Sequence, residues 1–122
     1  MVFVNEETMA ITMTRGDTAE LQIGCLIDDT EYVPQEGDVV TFAVKHQTQK
    51  GDKYKEYEDQ TAVCQITVPN DTLILEIQPS DTRPLEFGTY DYQVDIEFAD
   101  GKVNTFIEST LKITKEVHKD GN

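Results

Sequence analysis

Tryptophan is absent, and the 122 residues include only two cysteines, two histidines and ten lysines and arginines. Cys25 and Cys64 both fall in apolar alternating segments, where a reduced thiol packs as a small hydrophobe, and nothing indicates a disulfide between them. His46 and His118 have no His or Cys neighbour at metal-ligand spacing, and no serine stands in a nucleophile-elbow sequence. Zinc chemistry and a serine triad are therefore not expected. No apolar window approaches the length of a membrane span, and residues 1–8 show no basic region followed by a long apolar stretch. The sequence thus predicts neither a membrane anchor nor a signal peptide. An apolar period of 3.6 residues is nowhere sustained, which excludes a predominantly helical fold.

The scarcity of basic residues has its own consequence. Ten Lys plus Arg stand against 24 Asp plus Glu, a formal charge of -14, so phosphate backbones and anionic membranes repel the chain. Neither nucleic acid nor a membrane is expected as a partner. The charge keeps copies of the protein soluble and apart; steering towards a basic partner is the alternative. Paired carboxylates are so abundant in a chain this acidic that they carry no information about acid and base catalysis.

What is present is a set of short alternating segments. Hydrophobic residues make up 38%, enough for one core in a chain of single-domain size without metals or disulfides. In residues 89–98, Tyr90, Tyr92, Val94, Ile96 and Phe98 alternate with Asp91, Gln93, Asp95 and Glu97, one face buried and one acidic. Asp100-Gly101 follows, and alternation resumes through Val103, Thr105, Ile107, Ser109, Leu111 and Ile113, a hairpin pattern. Upstream, Leu21, Ile23, Cys25 and Ile27 read as one strand and Val40, Phe42 and Val44 as another. Ile66 with Val68, and Leu73 with Leu75 and Ile77, flank a turn at Pro69-Asn70-Asp71; residues 9–14 and 54–60 are weaker strand candidates.

Turn residues fall between these runs, at Gly16-Asp17, Asp28-Asp29, residues 34–37, Gly51-Asp52 and residues 79–84. The expected fold is all-β, an immunoglobulin-like, two-sheet antiparallel sandwich of about seven to eight strands. The expected organisation is an N-terminal arm over residues 1–8, a sandwich over 9–117 and a flexible tail over 118–122. The arm is expected to be ordered if it pairs with a sheet edge or another copy.

Leu85, Gly88 and Tyr90 lead into the strongest strand as in a tyrosine corner, where the hydroxyl bonds the backbone of the preceding corner, so Tyr90 is read as structural. Arg15-Gly16-Asp17 is the tripeptide of integrin ligands, but a tight turn accounts for Gly16-Asp17 equally well. Asp28-Asp29-Glu31 and Glu56-Glu58-Asp59 lack the spacing of a calcium loop and read as solvated surface. Phe106 shares the polar side of the last strand with Asn104, Glu108, Thr110 and Lys112. It is either core after a bulge or an exposed anchor at an interface. No catalytic, cofactor-binding or metal-binding residue is expected, and the chain is not read as an enzyme.

Met13-Thr14-Arg15-Gly16-Asp17, residues 37–42, residues 79–82, residues 88–92, Asp100-Gly101 and residues 113–117 together resemble a known family. It is the small β-sandwich proteins of tailed phages and prophages, including the N-terminal domain of baseplate upper proteins. The resemblance covers residues 11–117. It implies a structural or assembly protein of a baseplate, tail or head, assembled in the bacterial cytoplasm and carried in the virion. Its partners would be other virion proteins or copies of itself, with a homo-oligomer as one arrangement. The alternative is a non-catalytic binding module for a carbohydrate or host protein, built on residues 28–37 and 46–53, with Tyr32, Tyr54 and Tyr57 as candidate aromatics.

Overall fold

The strictest alternation in the sequence becomes the central strand. Tyr90, Tyr92, Val94 and Ile96 are each at most 4% exposed, whereas Asp91, Gln93 and Asp95 between them face the other way. A computed structural model describes residues 2–47 and 61–115. Among these, ten strands form: β1 (Val2–Val4), β2 (Ile11–Thr14), β3 (Ala19–Gln22), β4 (Leu26–Ile27), β5 (Thr30–Glu31), β6 (Val39–His46), β7 (Cys64–Val68), β8 (Ile74–Ile77), β9 (Gly88–Glu97) and β10 (Val103–Thr114). The single helical turn, α1 (Pro79–Thr82), has proline in its first turn, where the missing N–H costs nothing, and Asp81 accepts from Gln78 N at 2.7 Å. The protein is all-β, as the sequence predicts. The strand candidate at 54–60, the acidic cluster Glu56-Glu58-Asp59, Tyr54, Tyr57, His118 and the tail lie outside the described residues.

Six strands form one sheet in the order β1-β2-β10-β9-β6-β7. All its pairs are antiparallel except β2 with β10. A ribbon of β3 and β8 matches Leu21 to Leu75 and Ala19 to Ile77. Ala19, Leu75 and Ile77 join Phe42, Val44, Val94, Ile96, Leu111 and Ile113 of the sheet in one buried cluster. A second two-stranded pair, β4 with β5, turns on Asp28 and Asp29, whose φ values of 51° and 64° are those of a two-residue hairpin turn. These two acids are turn residues.

The structure departs from the sequence expectation in strand number, with ten among the described residues in place of seven to eight, and in direction, since β2 runs parallel to β10; two readings of individual strands also need correction. The run Leu21, Ile23, Cys25, Ile27 keeps its alternating burial but is not one strand: β3 ends at Gln22 and β4 begins at Leu26. Around Gly24 the chain changes partners, with Ile23 N donating to Leu73 O and Tyr32 N to Cys25 O. Leu73 lies in the turn with φ 52° and its N–H on Pro69 O, so β8 starts one residue later.

The second correction concerns β10. Thr105 faces Asp95 and Ile107 faces Val94, so Phe106 is an extra residue between them. An extra residue in one strand moves every following side chain to the opposite face. Val103 and Thr105 therefore share the outer face with Glu97 and Asp95, while Ile107, Leu111 and Ile113 turn inward. Unbroken alternation from Val103 does not hold.

The N-terminal residues lie along a sheet edge. Val2 pairs with Met13, Phe3 with Thr12 and Val4 with Ile11. The connecting turn at 5–10 is capped by Asn5, whose Oδ1 accepts from Glu7 N at 2.9 Å and Thr8 N at 3.2 Å.

Candidate functional site

Tyr90 holds a corner. Its hydroxyl donates to Glu86 O at 2.7 Å, four residues upstream, and β9 starts at Gly88, whose φ of 139° favours glycine. Burial pushes the Tyr90 phenol above its ordinary pKa, and the nearby Glu86 charge adds to the rise. The same corner receives Arg15-Gly16-Asp17. The Arg15 guanidinium lies 4.4 Å from the centre of the Phe87 ring, and Gly16 N donates to the buried Thr82 Oγ1 at 2.8 Å. Arg15 is thus engaged within the fold.

Asp100 and Gly101 close the β9–β10 hairpin. Phe98 N donates to Lys102 O at 2.7 Å, Gly101 N to Phe98 O at 2.8 Å and Lys102 N to Asp100 Oδ1 at 3.0 Å. Gly101 has φ 93°, the left-handed residue that follows the turn in a three-residue hairpin loop. Phe106, at the bulge, is half-buried and packs against the core.

Sequence reading missed the staple around Asp38. This carboxylate is buried and accepts from Tyr32 Oη at 2.7 Å and Gln35 N at 2.8 Å. Those bonds, with one from the Ala99 backbone, hold its pKa below the usual 3.8, while the same contact raises that of the Tyr32 phenol. The Tyr32 ring meets Phe98 edge to face at 5.5 Å, and Asn70 Nδ2 donates to Asp38 O. Tyr32, a candidate sugar platform, has its hydroxyl committed to Asp38. The Gly37-Asp38 pair before β6 was visible in the sequence, but its partners lie in three separate segments.

Two surfaces stand out. On the outer sheet face, Val39 and Val103 flank Glu97 in one row across β6, β9 and β10, and are 43% and 59% exposed. At the sheet edge, Phe3 at the centre of β1 is 60% exposed, and β1 carries neither charge nor proline.

An apolar pocket of about 250 Å³ opens beneath the turn at 5–10. Ile11, Phe42, Tyr92 and Ile107 line it from the six-stranded sheet, and Leu21 and Leu75 from the ribbon. Tyr92 Oη donates to Met9 O in its roof at 2.6 Å, and Ser109 Oγ to Thr8 O at 2.8 Å. Burial pushes the Tyr92 phenol up to about 12.

Among the described residues, no three His, Cys, Asp or Glu side chains gather as metal ligands. Cys25 and Cys64 are both free; burial pushes both thiols up, Cys64 to about 11, with the charges of Asp38 and Asp81 adding to the rise at Cys25 and Cys64 respectively. No helix is long and apolar enough to cross a membrane among the described residues. No protein-family model, no curated protein and no solved structure matches the chain.

Proposed function

We propose that this protein is a non-catalytic building block of a phage or prophage particle, an immunoglobulin-like sandwich that acts through protein contacts. In this reading the six-stranded sheet is one layer, and the β3–β8 ribbon with the β4–β5 pair stands for the other. Shared burial of Leu75 and Ile77 with Phe42 and Val94 supports it. The tyrosine corner at Tyr90 supports it too.

The observation that carries assembly is the composition of β1. Sheet edges are normally blunted by lysine, proline, inward charges or a covering loop, because open edges pair with other chains. Here the edge strand is Val2-Phe3-Val4, with a largely exposed phenylalanine. A second copy approaching antiparallel across a two-fold axis at Phe3 would continue the sheet. Three residues of ladder fall short of the roughly 1,200 Å² of a stable free interface. That suits a subunit held in a particle by several weak contacts.

Amide exchange tests this. Protection at residues 2–4 is expected to rise with protein concentration while that of β9 stays constant. Protection of β1 independent of concentration would count against assembly through this edge.

A further inference from the structure

We infer that the pocket beneath the N-terminal turn is a binding site for an uncharged, largely hydrocarbon molecule of one or two rings. The pocket follows from a mismatch between layers. Strands lie about 4.8 Å apart, so a two-stranded ribbon covers only part of the inner face of a six-stranded sheet. Over β2, β10 and β9 the missing cover is supplied by the turn at 5–10, which stands off from the sheet and leaves about 250 Å³. An apolar cavity of about 150 Å³ accommodates benzene.

Chemistry narrows the ligand. Ile11, Ile107, Leu21 and Leu75 form aliphatic walls, and the rings of Phe42 and Tyr92, 5.2 Å between centres, supply an aromatic surface. The Tyr92 hydroxyl is directed to Met9 O, and Gln22 Nε2 to the carbonyls of Thr72 and Leu73. Among the described residues, no lysine, arginine or histidine lines the pocket, and its one charged side chain is Glu6. In a chain of charge -14, a fatty acid or other anion meets repulsion with no counter-ion. Two bonds to the roof, from Tyr92 and Ser109, form the pocket ahead of any ligand, so little ordering opposes entry.

Titration of the ¹⁵N-labelled protein with indole tests this, with decanoate as the anionic comparison. Indole is expected to give saturable shifts centred on Met9, Ile11, Leu21, Ile23 and Ile107, and decanoate none at equal concentration. Leu21→Trp, at a half-buried wall position, is expected to weaken indole at least tenfold; Ile107→Phe serves if that variant does not fold. The inference is overturned by absent or non-saturating shifts, by shifts centred on Val39 and Val103, by equal binding of decanoate, or by unchanged affinity in a folded variant. These readouts are independent of self-association, so either proposal can fail alone.

Discussion

Tyr92 donates its hydroxyl to the carbonyl of Met9 at 2.6 Å, joining positions 83 residues apart. The bond ties the central strand to the N-terminal turn, where Met9 holds a left-handed φ of 64°. Tyr92→Phe keeps the ring against Phe42 and removes only this bond. The expected loss is about 1 kcal/mol in denaturant unfolding, with faster amide exchange at residues 5–13 and little change in β6.

The pH dependence of two variants follows from the directions of their pKa shifts. Asp38 has a lowered folded-state pKa, so its contribution is present above 3.8 and is lost as pH falls through the folded value. The stability gap between wild type and Asp38→Asn should therefore shrink on acidification below 3.8. Tyr92 has a raised pKa, so its contribution is present below 10.0 and is lost as pH rises towards about 12. The gap between wild type and Tyr92→Phe should close over that alkaline range. Urea midpoints measured across pH check both, and gaps that do not change with pH contradict the assignment.

Legibility followed periodicity. β6, β9 and the inner half of β10 were readable because one face of each is buried, so Phe42, Val94 and Leu111 recur at period two. The bulge at Phe106 was readable only as one of two options, since its position is set by the pairing of β10 with β9. The change of partners at Gly24 was hidden because Ile23 and Cys25 stay buried on either side of it. Asp38 with Tyr32 and Asn70, and the pocket under Met9, depend on contacts among distant segments. No local pattern encodes them.

The bulge sets a sharp contrast within β10. Val103→Lys places its charge on the outer face beside Glu97, where a change within about 0.5 kcal/mol is expected. Leu111→Lys buries an unpaired ammonium at a position 1% exposed and is expected to abolish folding. Circular dichroism melts separate the two outcomes; equal damage from both would contradict the register.

Gly101→Ala is expected to cost about 1 kcal/mol. The added methyl meets no atom within 4 Å, so the loss comes from the left-handed φ alone. Gly101→Asn, which tolerates that conformation better, is expected to recover part of it. Thermal unfolding of the three proteins gives the ranking.

Assembly through β1 is tested most directly by the weight-average mass from light scattering, followed over concentration and salt. With a charge of -14 on each 13.8 kDa copy, added salt should strengthen association by screening repulsion. The mass of the wild type is expected to climb above 13.8 kDa with concentration, more steeply at high salt. Phe3→Lys, which sets two lysines opposite each other across the proposed two-fold, is expected to remain folded and hold at 13.8 kDa. A wild type fixed at 13.8 kDa under every condition, or a Phe3→Lys protein that associates as strongly, would contradict the account.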